Sequence, residues 1–216
     1  MAVVIDELLQ EPTLPLILQR LQAILDQEQE RRQYFYDVVT EEQKAEFING
    51  EIVVHSPVKL RHNRSSALLH RLLSAYVDTH ELGFVGHEKV LITLTRNDYE
   101  PDVCFFGQAK ARHFLPDQMK FPAPDLAVEV LSPSTAENDR VLKFRDYAVH
   151  GVTEYWIIDP AAEMVEQYIL QGEAYELRIK SNSGDLQSIA VAGFTIPIRA
   201  ILDEKVNLAT LRQLVQ

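Results

Sequence analysis

The stretch Ala123-Pro-Asp-Leu-Ala-Val-Glu-Val-Leu-Ser-Pro-Ser-Thr135 sets one glutamate inside an apolar run bounded by Pro124 and Pro133. A short run of Val and Leu between such breakers reads as a strand. Because side chains alternate along a strand, Leu126, Val128 and Val130 share one face and Ala127, Glu129 and Leu131 the other. Glu129 is then mid-strand among greasy neighbours, where an unpaired ionised carboxylate costs several kcal/mol or takes up a proton. It needs a partner. A buried ion pair or hydrogen bond is the structural answer, and a metal ion is the chemical one.

Working outward, "EKVLITLT" (88–95) and "PDVCFF" (101–106) read as two further strands separated by a polar turn at Arg96–Asp98. Downstream, "ENDRVLKFRDYAVHG" (137–151) reads as a helix with Val141, Phe144, Arg145 and Ala148 on one side, ending at Gly151. The near-continuous apolar run "TEYWIID" (153–159) suits a central strand covered on both faces. "MVEQYIL" and "AYELRIK" form a hairpin about Gln171-Gly172, and "TIPI" closes the domain. Upstream, Asn49-Gly50 is a hairpin turn leading into "EIVVHS", and residues 61–80 make a helix whose stripe includes Ser65, Leu69, Leu72, Leu73 and Tyr76. His62 extends that buried side by one turn. Residues 14–33 repeat apolar positions at helical spacing ahead of the main domain. That helix either packs on its own domain or pairs two copies. The expected architecture is α/β of the α+β kind, a mixed sheet flanked by helices. Residues 1–34 are a helical extension and 35–216 the domain.

A second acid shares Glu129's situation. In "YEPDVCFF", Asp102, Cys104 and Phe106 lie on one face, so Asp102 heads an apolar strand next to the first. Two carboxylates brought together repel unless something positive sits between them. A hard divalent cation satisfies both, and two carboxylates, a main-chain carbonyl and retained waters suit Mg²⁺. Cys104 reads as packing rather than as a ligand. Lys143, on the helix side shared by Asp139, Arg140, Asp146 and Tyr147, could hold an attacking water or neutralise developing phosphorane charge. The ordinary alternative for a helical lysine is exposure to solvent. Asp125 lies on Glu129's face but about 13 Å away, too far for a shared metal. It is expected to tie down the turn into the strand. The Ser and Thr of "SPST" are expected to cap the following helix.

Composition narrows the function classes. With 216 residues, 46% of them hydrophobic and only 8 Gly, the chain can bury a core of its own. A formal net charge of −11 lacks the broad basic footprint of non-specific DNA binders, so any nucleic-acid contact is local. Two small basic clusters exist, Lys59–Arg71 and Lys110–Lys120. The single Cys104 excludes an internal disulfide framework, and neither a secretory signal nor a membrane-length apolar run is evident. A reducing, cytoplasmic setting is the expectation.

The series "AEFINGEIVVHSP", "RHNRSSALLHRLLSAYV", "YEPDVCFF" and "APDLAVEVLSPSTAENDRVLKFRDYAVHGVTEYWIIDP" resembles the bacterial Uma-type restriction endonuclease family of the PD-(D/E)XK nuclease superfamily, from about Phe35 to Leu202. The resemblance implies a restriction-endonuclease-like fold and Mg²⁺-dependent hydrolysis of phosphodiesters, with Mn²⁺ as a substitute. By motif, Pro101-Asp102 is the "PD" and Glu129 the acid of "(D/E)XK". Leu131 stands where that signature has lysine, so the resemblance assigns the role to Lys143 on the following helix. Glu51 and His62 also match family positions, the one as an added metal ligand and the other as a phosphate contact or proton relay, with a structural role the alternative for each. The reading is therefore a DNA endonuclease in which Asp102, Glu129 and the Val130 carbonyl bind Mg²⁺ and Lys143 orients water. A homodimer through the N-terminal helix is a further expectation. The rivals are a non-catalytic nucleic-acid- or protein-binding module on the same fold and a hydrolase of another phosphodiester.

Overall fold

In the computed structural model, which describes residues 2–40 and 43–216, the chain opens with two helices, α1 (Ala2–Leu9) and α2 (Leu14–Val38). A tight hairpin follows, β1 (Ala45–Ile48) and β2 (Glu51–Val54). Asn49 and Gly50 take φ of 50° and 85°, the two left-handed positions that such a hairpin turn requires. Next come helix α3 (Leu60–Thr79) and strands β3 (Gly83–His87), β4 (Leu91–Thr93), β5 (Asp98–Tyr99) and β6 (Val103–Gly107). A single turn α4 (Gln108–Ala111) leads through β7 (Lys120–Phe121) to β8 (Leu126–Val130). A π-helical turn (Asn138–Lys143) runs straight into α5 (Phe144–Val149). The rest is β9 (Glu154–Asp159), β10 (Met164–Gln171), β11 (Ala174–Ser181), β12 (Asp185–Gln187), β13 (Thr195–Pro197), a 3₁₀ turn (Ile198–Ile201) and α6 (Glu204–Leu214).

The main sheet has the order β11-β10-β9-β8-β6-β3, and only β8 and β9 are parallel. A smaller sheet has the order β2-β1-β5-β4-β7. Every residue of β8 is buried, which explains its continuous apolar character. Its two faces serve two cores. Leu126, Val128 and Val130 pack with Leu69, Leu72 and Leu73 of α3, whereas Ala127 faces Tyr147 of α5, Tyr155 of β9 and Tyr99 of β5.

Two departures from the sequence reading have local causes. The strand expected over 88–95 is shorter, because Glu88 and Lys89 both take positive φ (47° and 44°) and turn the chain from the main sheet into the smaller one. The preceding residues form β3, paired antiparallel with β6. The helix expected over 137–151 begins with the wide turn instead. Here Val141 is 47% exposed while Asp139, Lys143 and Tyr147 point inward, so of the expected stripe only Phe144 and Ala148 pack into the core. The C-terminal α6, whose Val206, Leu211 and Leu214 pack on the core, is capped by Asp203, whose side chain accepts the N–H groups of Lys205 and Val206.

The last turns of α2 are locked to the domain. Arg32 donates to Asp98 Oδ2 at 2.6 Å and Oδ1 at 3.0 Å, and also to the carbonyls of Leu94, Thr95 and Asn97. Glu28 forms a bidentate pair with Arg96, at 2.7 and 2.8 Å, and Phe35 is fully buried. The first turns of α2 make no comparable contacts: Leu18, Leu21 and Leu25 remain exposed. Among the described residues no helix is long and apolar enough to cross a membrane.

Candidate active site

The site forms where the main sheet meets the β1–β2 hairpin. Register brings the two acids together: Val103 of β6 pairs with Val128 of β8, so the next positions outward are Asp102 and Glu129. Asp102, 3% exposed, accepts the N–H of Val130 on Oδ2 at 2.8 Å, and His62 Nε2 lies 3.3 Å from the same oxygen. Its other oxygen, Oδ1, accepts from Lys44 Nζ at 2.8 Å. Glu129, 2% exposed, takes two donors on Oε1, Lys143 Nζ at 3.1 Å and the Tyr147 hydroxyl at 3.2 Å.

Lys143 is the hub of the cluster. Besides Glu129, its ammonium reaches Glu46 Oε1 at 2.8 Å and Asp139 Oδ1 at 3.3 Å. The π-helical turn places Asp139, Lys143 and Tyr147 one above another on the inward side, as positions four apart on a helix do. Glu46 is itself held from behind: it accepts the N–H of Glu100 at 2.9 Å on Oε1 and bonds His55 Nε2 at 2.9 Å through Oε2.

Burial alone would neutralise these acids, and their shifts show which are rescued. For Asp102, burial is outweighed by Lys44 and His62, so its carboxyl lies below the usual range. For Glu46, burial is outweighed by Lys143, His55 and Lys44, bringing it to about 2. For Glu129, burial wins: Lys143 opposes it, but Asp139, Asp102 and Glu46 add repulsion, and its carboxyl sits well above the usual range. Lys143 is held well above the ordinary lysine value, its desolvation overcome by Glu129, Glu46 and Asp139. Were all five buried acids (Glu46, Glu100, Asp102, Glu129 and Asp139) ionised, they would outnumber the two ammonium groups, and burial raises Glu129, Glu100 and Asp139 instead. A cation entering the cluster would let these acids ionise.

The site opens in two steps. A crevice of about 40 Å³ is lined by Lys44, His62, Asp102, Glu129, Asp139 and Lys143, with Ser132, Ser134 and Thr135 at its rim. Outside it lies a cleft of about 360 Å³ bordered by Lys44, His55, His62, Glu88 and Asp102. Among the described residues no three His, Cys, Asp or Glu side chains form a metal centre by themselves.

Of the residues singled out from sequence, Asp102, Glu129, Val130, Lys143 and His62 converge here. Glu51 does not. It opens β2 just after the hairpin turn, its side chain is 73% exposed, and it pairs with Arg31 on the surface. The inward acid of that hairpin is Glu46, which together with Lys44, His55 and Asp139 escaped the sequence reading. Glu46 carried a usable signal, an acid inside the apolar "AEFI" of a fully buried strand. Asp125 accepts from the Gly107 N–H and from Lys110 at the far end of the strand, both at 2.7 Å. Cys104 is buried in the core, which pushes its thiol up to about 12.

Two buried carboxylates at adjacent positions of a mixed sheet, with a lysine from the following helix on Glu129, define a restriction-endonuclease-like architecture. The chain matches the model of the family described as "Uma2: Putative restriction endonuclease" over residues 27–199, and it belongs to that family. An uncharacterised protein of Synechocystis sp. is 32% identical over 133 residues, spanning 61% of this chain and 75% of that protein. A crystal structure described as a putative nuclease belonging to DUF820, from Anabaena variabilis, superposes with a TM-score of 0.66 at 18% identity, covering 82% of this chain and 96% of that one. The fold is shared, and the family is one of nucleases.

Proposed function

We propose that the protein is a metal-dependent endonuclease that hydrolyses DNA phosphodiester bonds at the Asp102–Glu129–Lys143 cluster. The observation that carries this reading is the meeting of three side chains from separate elements in one crevice crowded with carboxylates. The donor set suits a hard divalent ion, because the oxygens come from carboxylates and the 40 Å³ crevice exceeds the roughly 10–15 Å³ that one water needs. Asp102, Glu129 and the Val130 carbonyl would hold Mg²⁺, or Mn²⁺ in its place. When bound, the ion would supply Lewis-acid polarisation of the phosphodiester and acidify water.

The protein's own groups do the rest. Lys143, fixed by Glu46 and Asp139, directs its ammonium into the crevice to orient the attacking water and offset charge on the phosphoryl group. His62 and the Val130 N–H hold Asp102 in place, and His55 does the same for Glu46. Purified protein should nick plasmid DNA with Mg²⁺ and not with EDTA, and Asp102→Ala or Glu129→Ala should abolish nicking. Unchanged cleavage by either variant rules the assignment out.

A non-catalytic binding module is the second reading, favoured by the net charge of −11 and by Leu131 in the signature position. That reading requires Mn²⁺ to leave the melting temperature of the wild type unchanged, whereas a metal site raises it by mass action. A second copy of the chain is the proposed partner. Leu18, Leu21 and Leu25, exposed at 56%, 48% and 48%, continue at helical spacing the line that Glu28, Arg32 and Phe35 bury against the domain. Sedimentation velocity should show a dimer that Leu18→Glu with Leu25→Glu dissociates. A monomeric wild type refutes the pairing.

A further inference from the structure

Lys44 is the cation that the sequence did not reveal, and its position differs from that of Lys143. Lys143 is sealed in, with 3% of its side chain exposed, and touches three carboxylates. Lys44 stands at the boundary between the inner crevice and the outer cleft, 21% exposed, with its ammonium on Asp102 Oδ1 at 2.8 Å. The remaining oxygen of Asp102 is already engaged by the Val130 N–H and His62. A divalent ion approaching Asp102 therefore meets an oxygen that already holds a positive charge.

We infer that Lys44 is a displaceable counter-ion: its ammonium holds Asp102 Oδ1 until a divalent ion takes that oxygen, then swings into the outer cleft to bind a phosphodiester oxygen of the substrate. The backbone is built for this. The Lys44 carbonyl accepts the His55 N–H at 2.9 Å, anchoring the main chain, while a flexible four-carbon stem carries the charge. The cleft into which it would swing is otherwise bordered by His55, His62, Asp102 and Glu88, and no other ammonium or guanidinium among the described residues lines it to meet an anion. The ion and the phosphodiester would then assist each other, since whichever arrives first holds Lys44 away from the competing position.

This rests on the proposed metal site, and the experiment separates the two. Mn²⁺ titration by calorimetry should give about tenfold tighter binding to Lys44→Met than to the wild type. Because a nearby charge could weaken metal binding without moving, displacement is read separately. Acylation of Lys44, followed by peptide mass spectrometry, should speed up severalfold when Mg²⁺ is added. It should slow again when a phosphorothioate DNA duplex is also present. Unchanged Mn²⁺ affinity in Lys44→Met, or a Lys44 acylation rate indifferent to Mg²⁺, overturns the displacement. Absence of renewed protection by the duplex overturns the phosphodiester contact. Mn²⁺ binding that is missing from the wild type, or that survives Glu129→Gln, overturns the metal site and this inference with it.

Discussion

Replacing Lys143 by Met tests whether one buried ammonium holds the acidic cluster together. The side chain lies within 2.8–3.3 Å of three carboxylates, and both it and they are nearly inaccessible to water. Methionine keeps most of the volume and removes only the charge, so Glu46, Glu129 and Asp139 are left buried without their main partner. Breaking a buried ion pair from one side costs about 3–5 kcal/mol, because the stranded charges keep their desolvation penalty. For a domain of this size that corresponds to a fall in melting temperature of about 6–20 °C. The sign of the pH dependence follows. Glu129 and Asp139, which burial already raises, lose the ammonium that opposes it, so the added penalty applies above their unfolded values and fades as the pH drops and the acids protonate. Thermal denaturation in EDTA should show a large gap between variant and wild type at pH 8 that narrows by pH 5. A loss below about 1 kcal/mol at pH 8, or a gap that does not depend on pH, would refute the placement of Lys143.

Three other outcomes are expected. Arg32→Met should lower stability by about 3–5 kcal/mol in urea denaturation, since Asp98 and three carbonyls lose their shared donor; Arg32→Lys should recover little, because an ammonium cannot span those acceptors. Glu51→Ala should alter stability by less than about 0.5 kcal/mol and leave plasmid nicking at the wild-type rate, as suits an exposed pair with Arg31. Glu166, buried yet bound by Arg140, Tyr168 and Lys180, has its carboxyl held down to about 2, so its stabilisation is complete above pH 4.5 and disappears as the pH falls towards 2. With Arg140 and Lys180 partly exposed, that term is on the order of 1–2 kcal/mol, and Glu166→Gln should flatten the acid limb of the stability curve accordingly.

The pair of buried acids was legible because it violates the local pattern. Glu129 and Asp102 are acids on strands whose other residues belong in a core, and such a violation asks for a partner. Lys143 was legible only through that pair, since the helix it occupies shows an apolar stripe pointing elsewhere. The π-helical turn rotates Val141 to solvent and Asp139, Lys143 and Tyr147 inward, and no composition signal marks a turn with an extra residue. Glu46 was overlooked for Glu51 because both lie on a two-strand hairpin, and only the register against β5 shows which strand is covered. The split into two sheets was hidden as well. It depends on Glu88 and Lys89 adopting left-handed φ, which neither residue type advertises.

A metal ion held between Asp102 and Glu129 is the core of the proposed function. Anomalous diffraction from a crystal soaked in Mn²⁺ addresses it directly. The account predicts one strong peak at coordination distance, about 2.0–2.2 Å, from a carboxylate oxygen of each acid, with Lys143 still beside Glu129. A crystal with no peak there, both acids holding only their lysine partners at saturating Mn²⁺, would contradict it.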